Sequence, residues 1–322
     1  MKAIVQDRYG SADVLELRDV EVPSPGPDEV LVRVRAAGAG PDVWHWMTGL
    51  PLIARPALGL RAPKQRIRGW DAAGTVEAVG ANVTGFSVGD EVMGLAPGAF
   101  AELAIAGDKL VRKPARLSFE EAAAVPVSGV TALRAVREKA GVRAGQRVLV
   151  IGAAGGVGSL AVQIAKACGA HVTGVVSTGK MDLVRSIGAD DVVDYTREDF
   201  TDGSRTWDVI IDTAGRRPLR RLRRALTRSG TLVIVGGDGG GRWTGGFFRG
   251  MLRAPLVSLF VGQRLMGLQT VERRSDLEDL AAMIEDGALT PLVDRTFDLV
   301  EAADAIRYLE HGHPRGKVIV TV

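Results

Sequence analysis

Residues 148–161 read VLVIGAAGGVGSLA, four apolar residues, a burst of glycines, then apolar residues at helical spacing. Few structures accept that order. From Val148 to Ala165 there are 18 residues without a charge, a length at which a membrane span has to be considered. Gly152, Gly155, Gly156 and Gly158 interrupt the window, with strand formers before them and helix formers after. Strand, turn and helix are therefore expected rather than one spanning helix. The amides of such a turn, with the N-terminus of the helix behind it, offer positive potential to a pyrophosphate. A strict G-x-G-x-x-G is absent, because Ala153 stands in the first glycine's place, while Gly155 and Gly158 supply the other two.

The rest of the chain frames this turn. Up to about residue 115 it reads as short strands. In Glu29–Ala37 (EVLVRVRAA), Val30, Val32 and Val34 alternate with Arg33 and Arg35, the period of a half-buried strand. Gly74–Gly94 continues in that style, and a small antiparallel barrel is expected. From about Ser118 strands and helices alternate. Strand candidates are Val148–Ile151, Val172–Val176, Asp191–Val193, Val209–Asp212, Leu232–Val235 and Leu256–Phe260, as a doubly wound parallel sheet requires. A helix over Ser275–Gly287, a strand near Leu292–Leu299, a helix near Glu301–Glu310 and a final strand Lys317–Val322 follow. The expected organisation is a dinucleotide-binding domain over 121–265, inserted into a barrel domain made of 1–120 and 266–322.

Ribose specificity is read roughly 20 residues beyond the turn, where an NAD site uses Asp or Glu. Here the chain has Ser177-Thr178-Gly179-Lys180, with no acid. Hydroxyls and an ammonium accommodate a 2′-phosphate that a carboxylate would repel, so NADPH is the expected cofactor. The Arg-rich stretch Arg216–Arg228 places Leu219, Leu222 and Leu226 at helical spacing, so a solvated helix is expected there rather than a nucleic-acid site. Net charge is only +3. Cys168 is the single cysteine, expected as a small buried hydrophobe, and no internal disulfide is possible. The opening MKAIVQDRYG lacks the basic and apolar regions of a signal peptide, and a cytoplasmic setting is expected.

The chain resembles the zinc-independent medium-chain dehydrogenase/reductase superfamily, in its quinone oxidoreductase-like branch. The motifs are PSPGPDEVLVRVRAAG, GTVEAVG, VGDEV, SGVTALRAV, AAGGVGS, GADDVVDY, DVIIDTAG and HPRGKVIV. The resemblance implies a GroES-like β-barrel catalytic domain with a Rossmann cofactor domain. It also implies that Ala154, Gly155, Gly156 and Val157 line the pyrophosphate and that Thr131 approaches the nicotinamide. Ser177, Lys180 and Tyr195 would surround the 2′-phosphate, although Tyr195 reads equally well as a strand-end aromatic with its hydroxyl in water. Ala214, Gly215, Phe260 and Val261 would follow the ribose and nicotinamide, and Arg315 and Lys317 would close the cofactor cleft. Relatives also pair the sixth strand across a two-fold, which implies a homodimer through 256–260.

Zinc relatives hold their metal with cysteines and a Gly-His-Glu motif, since thiolate and imidazole suit it. This chain has Gly40 in place of the first cysteine and Gly69-Trp70-Asp71 in place of Gly-His-Glu, so no metal is expected. Related sequences often read Asn-Pro-x-Asp-Trp-His where this one reads Gly40-Pro41-Asp42-Val43-Trp44-His45. Asp42 is moved by one position, about 100° around a helix. His45, with Asp42 on the same face, is the candidate proton donor, the competing reading being a packed histidine between two tryptophans. Trp44, Trp46 and the stretch Leu50–Leu60 either wall an apolar pocket or pack under a loop; Trp243 and Phe260 are further candidates for the pocket. The glycine-rich segment 236–250, with Phe247 and Phe248, reads as a lid.

The expected activity is NADPH-dependent hydride transfer to a quinone or α,β-unsaturated ketone, the substrate being small and apolar or aromatic, with neither nucleic acid nor membrane as partner. Alcohol or carbonyl redox is the alternative within the class; a non-catalytic NADPH-binding protein is the alternative outside it.

Overall fold

The computed structural model describes residues 1–236, 241–269, 271–311 and 314–322, without the side chains of 245–249 and 311. It divides into two units: Met1–Val130 with Glu272–Gly287 and Pro291–Val322, and Thr131–Val271 with Ala288–Thr290.

In the first unit β1 (Lys2–Val5) pairs antiparallel with β2 (Glu16–Asp19). The main sheet uses β3 (Val30–Ala39), β4 (Asp71–Val79), β5 (Glu91–Leu95), β6 (Leu103–Ala106), β7 (Leu110–Arg112), β14 (Val293–Asp298) and β15 (Lys317–Thr321). Its order is β14-β15-β3-β4-β5-β7, with β6 also on β3. The central strand β3 shows the expected alternation, Val30, Val32 and Val34 inside and Arg33 and Arg35 outside. Beyond Ala36 it is buried on both faces, which its Ala and Gly residues permit. All pairs are antiparallel except β14 with β15, which the crossover helix α10 (Ala302–His311) connects. Helices α1 (Pro41–Thr48), α2 (Arg55–Leu58), α3 (Phe119–Ala123) and α9 (Arg274–Glu285) also lie in this unit, and α4 (Pro126–Leu133) spans the division at Val130.

The second unit is a six-stranded, wholly parallel sheet of β8 (Arg147–Ile151), β9 (His171–Val176), β10 (Asp191–Asp194), β11 (Trp207–Asp212), β12 (Leu226–Ile234) and β13 (Arg264–Gly267). The order is β10-β9-β8-β11-β12-β13, so the winding reverses between β8 and β11. The carboxyl ends of those two strands are where such sheets bind ligands. Between the strands run α5 (Gly156–Ala167), α6 (Met181–Ser186), α7 (Leu219–Arg224) and α8 (Gly241–Ser258). Leu149, Ile210, Leu232 and Trp207 anchor the core on one side of this sheet.

Three expectations are corrected here. The segment Leu256–Phe260 is not the sixth strand: Leu256–Ser258 ends α8, Leu259 and Phe260 form a turn, and the edge position belongs to β13. A short apolar run does not distinguish helix from strand by its period, and here the preceding helix simply continues through it. In the Arg-rich stretch only Leu219–Arg224 is helical; Leu226 opens β12 opposite Trp207, because sheet pairing overrides the helical spacing. Cys168 is half-buried at the C-cap of α5, not a buried core residue. Of the expected lid, residues 237–240 and the side chains of Phe247 and Phe248 lie outside the described residues, and Gly241–Ser258 is helical.

Candidate active site

The turn after β8 has the geometry a phosphate needs. Gly152 has φ +79°, a conformation that favours glycine, and its carbonyl accepts from Gly155 N–H at 3.0 Å. A Cβ on Gly158 would lie 2.1 Å from the Gly152 carbonyl oxygen, so only glycine lets α5 start this close to the strand. A Cβ on Gly155 would meet only that same oxygen, at 3.4 Å, so this face of the turn is open. Gly155 caps α5 without a side chain, which leaves the helix's first amides to a ligand. These features fit a dinucleotide pyrophosphate over Ala154, Gly155, Gly156 and Val157.

At the end of β9 the chain folds into a single 3₁₀ turn over Thr178–Lys180, closed by Lys180 N–H donating to Ser177 O at 3.0 Å. Tyr195 N–H donates to Val176 O at 3.1 Å, so Ser177, Lys180 and Tyr195 gather at one end of the β9–β10 pair. A carboxylate that the motifs did not flag, Asp194, sits below them, buried, and accepts from Thr178 Oγ1 and from Thr196 N–H and Oγ1 at 2.9 and 2.7 Å.

Asp212, at the end of β11, is a second buried carboxyl missed in the motifs. Its Oδ1 accepts from Ala214 N–H at 3.1 Å and Gly215 N–H at 2.9 Å, shaping the turn expected to follow the ribose. Burial pushes its pKa up to about 6 against those two amides. Thr213 ties the neighbouring strands by donating its hydroxyl to Ile151 O at 2.7 Å.

In the first unit α1 begins with Pro41 as its first residue and ends at Gly49 with φ +62°. His45 Nδ1 lies 2.8 Å from Leu50 O, and since a carbonyl only accepts, the proton is on Nδ1. Trp44 packs edge-on to His45 and donates Nε1–H to Glu310 Oε1 at 2.6 Å. Trp46 lies against Trp70, with ring centroids 5.2 Å apart.

Below α1 lies the charge cluster that the motifs did not reveal. Asp71 and Lys317 are both buried, with Nζ 2.6 Å from Oδ2. Val127 N–H donates to Asp71 Oδ1 at 2.7 Å, and Lys317 Nζ donates to Ser128 Oγ at 3.3 Å. Register explains the meeting. Strand β3 lies between β4 and β15, and Gly38 and Gly40 leave its end bare, so side chains from the flanking strands meet across it. A Cβ on Gly38 would be 2.6 Å from Asp71 Oδ2 and 2.8 Å from Lys317 Cε. A Cβ on Gly40 would be 2.5 Å from Asp42 Oδ1 and 3.1 Å from Lys317 Nζ. Asp42, half-buried, thus takes the room of the absent residue-40 side chain. Burial draws the Lys317 ammonium down, but Asp71 and Asp42 outweigh it and hold it raised and charged. Burial pushes the Asp71 carboxyl up, against the ammonium and the Val127 amide.

Thr131 is half-buried on α4 and Arg315 is exposed, whereas Lys317 is committed to Asp71. Trp243 and Phe260 are among the most exposed apolar side chains, 75% and 86%, and Val261 is half-buried beside Gly262.

A glycine turn at the reversal of a parallel sheet, with a mainly antiparallel β unit built from both ends of the chain, defines a dehydrogenase/reductase. Residues 26–133 match the family described as alcohol dehydrogenase GroES-like domain, and residues 187–320 the one described as zinc-binding dehydrogenase. The 2-methylene-furan-3-one reductase of Solanum lycopersicum is 34% identical over 99% of this chain and 79% of its own. A quinone oxidoreductase of Pseudomonas aeruginosa is 36% identical over 97% of each chain. The solved structure of the Coxiella burnetii quinone oxidoreductase superposes with a TM-score of 0.86 at 30% identity, covering 100% of this chain and 99% of that one. The chain belongs to the medium-chain dehydrogenase/reductase superfamily, in its zinc-independent, quinone oxidoreductase-like branch, and has that family's GroES-like and Rossmann-type domains.

Proposed function

We propose that this chain is an NADPH-dependent reductase of activated double bonds, passing hydride to a quinone or an α,β-unsaturated ketone without zinc. The observation that carries the reading is the place of the Lys317 ammonium. A zinc–sulfur bond of about 2.3 Å puts a cysteine's Cβ roughly 3.3 Å from the metal. Lys317 Nζ lies 3.1 Å from the Cβ position of residue 40, and 2.6 Å from Asp71, in the two positions where zinc relatives carry Cys and Glu. An ammonium therefore fills the space a metal would need, and Gly40, Trp70 and Asp71 offer neither thiolate nor imidazole.

Ala154, Gly155, Gly156 and Val157 would hold the cofactor's pyrophosphate, and the bound cofactor would supply a hydride from its nicotinamide. Without a Lewis acid a saturated ketone is a poor acceptor, whereas conjugation in an enone or quinone spreads the incoming charge. His45 keeps its Nδ1 proton on Leu50 O, so its Nε2 donates only in the imidazolium form; otherwise the proton comes from water. Trp46 and Trp70 supply apolar surface for an aromatic substrate. Ser177, Lys180 and Tyr195, gathered without a free carboxylate among them, support NADPH over NADH.

The test is NADPH consumption. Quinones and enones should be reduced in the presence of chelator and saturated ketones scarcely at all. Strong turnover of saturated ketones that EDTA abolishes would overturn the proposal. His45→Ala should slow the reaction at least about tenfold if His45 is the donor. We further propose a homodimer through the edge strand β13, beside which Leu256, Leu259 and Phe260 are exposed. A monomeric mass by light scattering at micromolar concentration would refute it. Among the described residues no helix is long and apolar enough to cross a membrane, and a free Cys168 fits a reducing, cytoplasmic setting.

A further inference from the structure

An NADPH site must solve a problem that the β9–β10 end poses sharply. A carboxylate near the adenosine ribose favours a 2′-hydroxyl and repels a 2′-phosphate, yet Asp194 lies directly beneath the residues expected to read that phosphate. Its neighbours resolve the conflict. The Asp194 side chain is only 6% exposed. Oδ2 accepts from Thr178 Oγ1, Oδ1 from both Thr196 N–H and Thr196 Oγ1, and the Arg197 guanidinium stands 3.6 Å from Oδ2. The hydroxyls of Thr178 and Thr196, with the Thr196 amide and Arg197 behind them, hold the carboxyl below its ordinary range. The group is an anion whose two oxygens are both engaged by its own neighbours.

The same contacts reach every proposed reader of the phosphate. Thr178 is the first residue of the turn that Ser177 opens and Lys180 closes. Tyr195 follows Asp194 directly, pinned by its amide to Val176 O. The Asp194 carbonyl also accepts from Arg197 N–H at 3.1 Å and Glu198 N–H at 3.0 Å, which fixes the loop leaving β10.

We propose that Asp194 is the positioning residue of the 2′-phosphate subsite: through Thr178 it sets the turn that carries Ser177 and Lys180, and through the chain it sets Tyr195. The inference rests on the reading of this site as one for NADPH. Asp194 does not touch the phosphate; it decides where three other side chains meet it. Discrimination between the cofactors is then a property of the Thr178–Asp194 contact as well as of Lys180.

Binding, read by tryptophan fluorescence, tests this without turnover. The probes are NADPH, NADH, adenosine 2′,5′-bisphosphate and adenosine 5′-monophosphate. Thr178→Val keeps the shape and removes the hydroxyl, and Asp194→Ala removes its acceptor. Each should raise the Kd of NADPH and of the bisphosphate at least fivefold, with NADH and the monophosphate changing less than twofold. Thr178→Ser should retain the discrimination of the unaltered protein. Asp190→Asn serves as the control for general loosening, since Asp190 braces β9 through Lys166 and the Val172 amide. It should lower the melting temperature and leave the ratio of the two Kd values alone. If the unaltered protein binds NADPH no better than NADH, the NADPH reading itself fails. If it prefers NADPH and both variants keep the full preference, or Asp190→Asn shifts it equally, Asp194 has no positioning role.

Discussion

Asp212→Asn should make the protein more stable at neutral pH and should remove one component of its pH dependence. The carboxyl is almost wholly buried, and burial raises its pKa to about 6 from an ordinary 3.8. Between those values the folded state binds a proton that the unfolded state has released, so this group's contribution to stability falls as pH rises from about 4 to about 6 and is level beyond. Roughly two pH units at about 1.36 kcal/mol each give about 3 kcal/mol of unfavourable ionisation at pH 7. Asparagine carries no charge and still offers an oxygen to the Ala214 and Gly215 amides. Other carboxyls act in the opposite sense: the pKa values of Asp190, Asp194 and Asp199 are depressed, so their contribution is present above the ordinary carboxylate range and is lost in acid. The informative quantity is therefore the difference between the two proteins. Urea unfolding at a series of pH values from about 4.5 to about 8 should show the variant gaining by about 2 kcal/mol, the part of the change that lies above the lowest pH, and then levelling off. A difference that does not vary with pH, or a wild type that gains on the variant as pH rises, would refute the reasoning.

Three further outcomes follow from the packing. Lys317→Met leaves the Asp71 carboxylate buried without its partner and should cost about 3–5 kcal/mol by urea unfolding, with Asp71→Leu added in the same chain recovering most of it. Gly40→Ala puts a Cβ 2.5 Å from Asp42 Oδ1, the end of a half-buried side chain that can swing aside, and 3.1 Å from Lys317 Nζ, and should cost no more than about 1 kcal/mol, less again with Asp42→Ala; equal penalties in both backgrounds would show that Asp42 does not fill that space. Lys180→Ala should weaken NADPH about tenfold or more while sparing NADH, one charge-assisted hydrogen bond being worth about 1.5–3 kcal/mol; equal losses would place Lys180 elsewhere.

Much of this molecule is written locally. The strand–turn–helix over 148–161 is decided by short-range sterics, since Gly152 must take a positive φ and Gly158 must admit a carbonyl at van der Waals range. The alternation of Val30, Val32 and Val34 with arginines likewise declares a strand and its inner face before any partner is known. Motif spacing then carries the family and the location of the phosphate turn, because those requirements involve residues close together in the chain. Where local signals compete with pairing, the sequence misleads: Leu256–Phe260 has the apolar run of a strand, yet Arg264–Gly267 takes the sheet edge and buries Leu265. The charge cluster of the first unit has no local signature at all. Asp71, Ser128 and Lys317 come from distant parts of the chain, and nothing near any of them announces the other two. Only the register of β15 and β4 on either side of β3, with Gly38 and Gly40 leaving that strand's end bare, brings the ammonium onto the carboxylate and Asp42 into the vacated space. Asp194 and Asp212 are mixed cases in the second unit: the amides of Thr196, Ala214 and Gly215 lie two or three residues away and are local turn contacts, whereas the burial of both carboxyls and the meeting of Asp194 with Thr178 are decided by tertiary packing.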